Sequence, residues 1–474
     1  MMTLCSKAEQ RAILPVTGLN GRRIDVDFSA GRVSSDGGAL LLREVDLATG
    51  LTPRLAGCFK DHRKRKRIEH SVEEILRQRI FGLVLGYEDL NDHEELSRDP
   101  LIASVIGKSD PTGQSRARER DRGHSGVSAS TLGRLERTCE GATSRSRYAK
   151  VVADFDAMRE VFVEQLVRSF SKPPKQLVLD LDPSDIQLHG QQENRFFHGY
   201  YDHHCYLPMY LFCGEYPLAV ELRPSNIDGA KGSVELLKPV VAQLRKAFPK
   251  TQIIVRGDGG FCREWLLAWC ESEKVDYIMG LARNSRLVRE MEQPMLKAQK
   301  RHERTGRASR EFRSFRYQTQ KSWSRRRRVV GKAEYLDKGP NPRFVVTSLS
   351  ASQFGKRALY EDLYCARGEM ENRIKEQQLG LFGTRTSCHR FRPNHIRVWL
   401  SLAAHLLVVL LREIGLQGTR LARAQASTLR TKLFKIGALV TVSVRRVYVR
   451  LSSAFPRREI LRIAMQRIRG HTIH

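Results

Sequence analysis

The sequence predicts an α/β protein in which a helical N-terminal module precedes a sheet domain, and a basic, β-rich segment interrupts that domain. Three observations predict it. Apolar residues recur at helical spacing up to about residue 170. From residue 176, short apolar runs alternate with amphipathic stretches, the rhythm of strands followed by helices. Between residues 286 and 342 that rhythm breaks. There, residues 297–332 hold 14 Lys or Arg against two Glu, with Phe312, Phe315, Tyr317 and Trp323 interleaved.

In the N-terminal module, SVEEILRQRIFGLVL at 71–85 reads as a helix with Ser71 as N-cap and Glu74 completing a capping box. The basic cluster KDHRKRKR at 60–67 precedes it and suits phosphate contacts, although a solvated loop has the same composition. Residues 109–129 are polar and contain glycine, as in a linker or mobile arm. Helix resumes at STLGRLER from 130, and 148–168 reads as a further helix. The sheet domain opens with QLVLDL at 176–181, a buried strand. Strands follow at 206–212 and 218–222, then a turn at Asp228-Gly229 and a helix over 233–248. TQIIV at 251–255 is a strand, 261–274 a helix with Trp265 and Trp269 at core spacing, and 277–281 a strand. Beyond the basic segment, RFVVTSL at 343–349 returns to strand, and 357–379 and 394–411 to helix. LVTVSVRRVYVRL at 439–451 alternates like a strand in the basic tail. The expected divisions are 1–170, 171–285, 286–342, 343–415 and 416–474.

Composition narrows the partners. A net charge of +30 on 474 residues points to a polyanion, and nucleic acid comes first because neutralised phosphates release counterions. A membrane partner is not expected. Residues 1–16 have no signal-type apolar core, and the run at 399–411 is broken by Ser401 and His405. That run is short of the ~20 residues a span requires, and reads as a buried core helix. Nine scattered cysteines without a Cys-x-x-Cys pair fit reduced thiols in a cytoplasm, and give no zinc spacing.

Three acids stand out by placement. Asp182 follows QLVLDL, Asp258 closes TQIIVRGD, and Glu371 sits on a helix further on. Side chains past a strand's carboxyl end point into the crevice where α/β proteins place their sites. Hard oxygen donors of this kind suit Mg²⁺ or Mn²⁺, and a metal pair can activate an oxygen nucleophile against a phosphodiester. With 52 acidic residues in the chain, such placement also arises by chance, and Asp258 in R-G-D-G-G equally suits a turn. The third element adds weight. Tyr364, Arg367, Glu371 and Gln378 fall at offsets that share one face of a regular helix. An Arg on that face can hold a phosphate while the Glu ligates metal, although an i, i+4 ion pair of Arg367 or Lys375 with a glutamate, common on solvated helices, has the same pattern.

Three blocks carry a resemblance: 180–226 (DLDPSDIQLHGQQENRFFHGYYDHHCYLPMYLFCGEYPLAVELRPSN), 256–263 (RGDGGFCR) and 364–378 (YCARGEMENRIKEQQ). Together they resemble bacterial insertion-sequence transposases of the DDE-domain group-one type, related to the branch with a Tyr-Arg-Glu-Lys signature. The resemblance runs from about residue 17 to residue 450. It implies an RNase H-like core, a metal triad of Asp182, Asp258 and Glu371 with Mg²⁺ or Mn²⁺, and cut-and-paste transposition, with second-strand cleavage through a hairpin intermediate. Tyr364 and Arg367 match the signature's Tyr and Arg. Its Lys falls on Gln378, and Lys375, one turn past the Glu, is the substitute phosphate contact. Asp182 is favoured over Asp180 as first acid, because Pro183-Ser184 follows it as in the family's Asp-x-Thr/Ser. The implied partners are double-stranded DNA, as element terminal inverted repeats and as target, and a second copy of the chain in a synaptic complex. The implied location is the bacterial cytoplasm at the nucleoid. In related transposases a β-rich insertion can lie between the second and third acids. Arg325, Arg326, Arg327 and Arg328 are expected on backbone phosphates there, and Trp323 on an extruded base.

Overall fold

The protein is described here by a computed structural model covering residues 17–471 apart from 19, 21 and 23. The expectation about a leader in residues 1–16 falls outside the described residues.

An eight-stranded sheet organises the chain. Its strands are β1 (Gln176–Pro183), β2 (Met209–Cys213), β3 (Tyr216–Glu221), β4 (Gln252–Gly257), β5 (Asp276–Leu281), β6 (Ser309–Tyr317), β7 (Arg327–Leu336) and β8 (Gly339–Thr347). They lie in the order β6-β7-β8-β5-β4-β1-β2-β3. β1, β4 and β5 are mutually parallel and the remaining pairs antiparallel. The parallel centre needs cover on both faces, which is why its strands read as continuous apolar runs. Alternation sorts their side chains. Leu177, Leu179 and Leu181 enter the main core on one face. Val178 joins Ile254 and Ile278 in a second cluster on the other, covered by Leu359, Tyr360 and Leu363. Even-numbered positions of β1, β4 and β5 therefore face the helical stretch that begins at residue 356.

The basic segment is not an insertion set apart from the sheet. β8 pairs with β5, placing Phe344 opposite Leu281 and Thr347 opposite Ile278. β7 and β6 extend the same sheet outward. The first part of the segment is helical, Ser285–Glu290 followed by Glu292–Thr305. Only Ala298 of the second helix is buried, so no apolar stripe marked it in the sequence.

Before the sheet, α1 (Val72–Leu85) carries the expected capping box: Ser71 accepts from the Glu74 amide, and Glu74 accepts from the Ser71 amide. The segment 109–129 is irregular but pinned. The Val127 amide donates to Gln78 Oε1, Gln78 Nε2 donates to the Val127 carbonyl, and Val127 is fully buried. Residues 151–153 are not helical. They form a strand paired with Phe59–Asp61, and Asp154 then caps a helix at Phe155–Arg168. One long helix, α2 (Phe391–Leu410), joins the parts and is buried along nearly its whole length. With its last turns it is long and apolar enough to cross a membrane, but 83% of its most apolar window is buried inside the protein. Glu136 accepts from both Arg79 of α1 and Arg397 of α2, a buried three-charge link between module and sheet domain. The tail folds back as well: Ala438–Val442 pairs with Val33–Ser34 and with Val447–Leu451. Trp265, expected in the core, is 44% exposed.

Candidate active site

β1 and β4 run side by side with Arg256 level with Asp180. Two residues further on stand Asp182, still within β1, and Asp258, the first residue past β4. The period-two alternation that buries Val178 and Ile254 thus carries both acids to the carboxyl edge of the sheet. Asp258 ends its strand as a local cap, accepting from the Gly260 amide at 2.8 Å. Glu371 reaches the same edge from α3 (Gly368–Lys375). Arg367 ties them together: Nη1 lies 3.3 Å from Asp182 Oδ1 and Nη2 lies 3.0 Å from Glu371 Oε1.

The electrostatics follow from this crowding. Burial, joined by the charges of Asp258, Glu371 and Asp180, pushes the Asp182 carboxyl up to about 7 against the pull of Arg367. Burial opposes the charge on Arg367, yet Asp182, Tyr364, Asp258 and Glu371 together hold its guanidinium above its ordinary range. Among the described residues no three His, Cys, Asp or Glu side chains already stand as a ligating set. Instead a guanidinium sits between two of the carboxylates. The donor chemistry fits a hard divalent cation, and the position Arg367 holds is one where the acids call for positive charge.

Asp180 has a different place. It is 1% exposed and bidentate with Arg256, at 2.5 and 2.7 Å. Arg256 also donates to the Leu363 carbonyl, fastening the strand pair to the turn that carries Tyr364. Neither role was visible in the sequence beyond the R-G-D string. Gly280 was missed too. A Cβ there would lie 2.7 Å from both the Gly259 amide and Tyr364 Oη. Only glycine lets β5 pass under the Asp258 turn and the tyrosine together.

The helical stretch around Glu371 is not regular. Wide turns at 359–364 and 376–380 flank α3. Gln378 turns inward, donating to Ser184 Oγ and to the Asp185 carbonyl at 3.1 Å each, so it fixes the loop after Asp182. Lys375 stays exposed one turn past Glu371. Tyr364 is half-buried, with burial raising its phenol. Arg373, unremarked in the sequence, anchors α3 by donating to Glu215 and Glu369.

The residues expected on DNA at 323–328 divide. Arg325 and Arg326 are exposed. Arg327 is 2% exposed and paired with Glu264 and Glu271. Arg328 is buried, donating to Ser314 Oγ and to the carbonyls of Leu349 and Phe354. Trp323 is 6% exposed, edge-on to Tyr317 and under the Arg327 guanidinium. Arg327 and Arg328 point to opposite faces of β7, both of which are covered, and the packing leaves Trp323 no open face for a base. By contrast, 64–67 of the N-terminal basic cluster lie on the surface.

An α/β sheet with two aspartates at adjacent strand ends and a helical glutamate, one aspartate and the glutamate bridged by an arginine, defines the general class of acidic, sheet-edge sites. The particular family is shown by the sequence as a whole, which matches the transposase DDE domain, group 1, over residues 16–473. The chain belongs to that family. Among solved structures it is similar to a piggyBac transposase synaptic complex with hairpin DNA, at 11% identity and a TM-score of 0.39, covering 85% of this chain and 80% of that one. No curated protein matches the chain.

Proposed function

We propose that this transposase cuts element ends and joins them to target DNA by cut-and-paste chemistry at Asp182, Asp258 and Glu371. The observation that carries the reading is the gathering of Asp182 and Glu371 on Arg367, with Asp258 just past the end of the next strand, two residues beyond the Arg256–Asp180 pair. The sheet order supports an RNase H-like core: an antiparallel meander, β1 to β3, then two parallel strands, β4 and β5, added on the other side of β1. In this reading the three carboxylates hold Mg²⁺ or Mn²⁺. Such ions, when bound, supply Lewis-acid activation of the attacking oxygen and neutralise charge on the leaving oxygen.

The chain's own residues do the rest. Arg367, released from Asp182 and Glu371, is placed to take a non-bridging phosphate oxygen. Lys375 and Tyr364 flank the same edge as phosphate contacts. Exposed Arg325 and Arg326 extend the basic track, and positions 64–67 offer a second one. Duplex DNA is the partner, with two copies of the chain holding two element ends. A bacterial insertion-sequence origin, a place beside the Tyr-Arg-Glu-Lys branch and a location at the nucleoid belong to the same proposal.

The test uses DNA from both sides of the gene, incubated with the full chain and Mg²⁺. Cleavage at inverted repeats followed by joining to a plasmid is expected. Hydrolysis without joining would reduce the protein to a nuclease, and binding without nicking would remove the catalytic reading.

A further inference from the structure

Between β1 and β2 the chain makes a small separate sheet, Ile186–Gln187, Phe196–His198 and His203–Tyr206. Its outer hairpin carries four aromatics in six positions, 196, 197, 200 and 201. Phe196 is 39% exposed, Phe197 55% and Tyr200 85%. Single exposed apolar side chains are ordinary, but an aromatic cluster on one hairpin tip is a recognition feature.

The tip is braced rather than loose. The His198 carbonyl accepts from the amides of Tyr201 and Asp202, and Asp202 adopts φ 56° to close the turn. Tyr201 stacks on His203 at 6.0 Å, and His203 Nε2 bonds Asp185 Oδ2 at 2.7 Å. Tyr200 stands edge-on to Tyr201 at 5.0 Å, leaving its outer face clear. The brace starts three residues past Asp182, at the loop Gln378 holds. Burial, then the charges of Asp185 and Asp182, push the Tyr201 phenol up to about 12. Two polar atoms here, Arg195 Nε and His198 Nδ1, are buried without a hydrogen-bond partner, while Arg195 Nη1 donates to Gln191 Oε1.

We propose that this hairpin is a stacking platform for unpaired DNA bases next to the acidic edge. Resting on the transposase reading, it goes further by naming the element that receives melted nucleotides. Rigid aromatic faces stack any base without regard to sequence, while the partly exposed Arg195, directly before Phe196, supplies positive charge for the adjoining phosphate. A chain of charge +30 brings DNA to the surface, and Phe312, Tyr317 and Trp323 of the basic segment are buried.

The experiment measures binding of the full chain, in EDTA, to a blunt duplex of arbitrary sequence and to the same duplex with one unpaired arm carrying 2-aminopurine. Tighter binding of the fork and quenched 2-aminopurine are expected. Phe197→Ala and Tyr200→Ala should each weaken fork binding by about 5- to 100-fold and leave blunt-duplex binding unchanged, whereas the conservative Tyr200→Trp and Phe197→Tyr should each keep fork binding. Both side chains are exposed, so an unchanged melting temperature accompanies the loss. Equal affinity for fork and blunt duplex, with metal-dependent nicking intact, would overturn the platform and leave the transposase reading standing. Failure to bind any DNA would overturn both. If the variants alter oligomeric state but not fork preference, the hairpin meets a second copy of the chain and the proposal is wrong.

Discussion

The acidic edge and the basic strands β6 to β8 invert each other. The edge concentrates negative charge that the fold answers with a single arginine, Arg367. The basic strands carry a large linear excess of positive charge, yet much of it is already answered. Arg310 meets Glu334, Arg313 meets Glu290, Arg327 meets Glu264 and Glu271, and Lys332 meets Glu334. Those acids lie outside the counted stretch 297–332 and arrive through sheet pairing and helix packing. Charge per window therefore overstates how much of a β segment is free for a polyanion. Unanswered charge of either sign is the better mark of function.

The largest effect that would test this contrast is at the edge. Asp258→Ala and Glu371→Ala should each lower strand cleavage by roughly three orders of magnitude or more, the scale of several kcal/mol of lost transition-state charge stabilisation. Duplex binding should stay within about two-fold, since neither carboxylate attracts phosphate. Near-normal cleavage by either variant in Mg²⁺ would take that residue out of the site.

Next come the answered charges. Asp180→Ala leaves the buried Arg256 charge unpaired and should cost about 3–5 kcal/mol of stability, read by denaturant unfolding, whereas Arg327→Ala leaves the partly exposed Glu264 and Glu271 with Ser324 and Tyr277 and should cost less. Asp182→Asn should act in the opposite sense. The fold favours the neutral form of Asp182, whose carboxyl is raised to about 7, so ionisation costs the metal-free fold increasingly above the ordinary carboxylate range. At pH 8 the Asn variant should unfold no earlier than the parent chain. Destabilisation like that of Asp180→Ala would show that the two aspartates play one structural role.

The same carboxyl gives a smaller, pH-dependent effect. A metal ligand must be ionised, so binding strengthens as pH rises through about 7. The rise in melting temperature caused by Mn²⁺ should grow between pH 6 and pH 8, and Asp182→Asn should flatten that growth. A pH-independent shift would place the ion elsewhere.

Much of the sheet was legible because its cause is local. QLVLDL and TQIIVRGD announce strands by composition, and the two acids fall on one face by alternation alone. Ser71 and Glu74 state a helix start directly. What stayed hidden is set by pairing between distant segments. The partnership of Asp180 with Arg256 depends on strand register, and the inward turn of Gln378 on wide helical turns that no 3.6-residue period anticipates. Gly280 matters only because β5 passes beneath two other elements. Arg327 and Arg328 looked available because sequence shows side-chain type and not that both faces of β7 are covered, and Trp323, just before β7, is hidden by its packing on Tyr317.

The smallest predicted effect isolates the part of the basic strands left unanswered. Arg326 is exposed, and Arg325 is 65% exposed with only one long contact, 3.3 Å to Glu271. An exposed pair of that kind contributes little to stability, so replacing both arginines with Ala should leave unfolding unchanged. Their effect should appear in salt dependence. Each phosphate contact to duplex DNA contributes about 0.9 to the log–log slope, so losing two should flatten it by up to about 1.8. Arg327→Ala provides the internal contrast, with lowered stability and an unchanged slope. A slope unmoved by the double variant would mean that DNA does not cross this end of β7. A slope moved equally by Arg327→Ala would mean that its pairs with Glu264 and Glu271 open on binding, and that the division between answered and free charge is not fixed in the unbound fold.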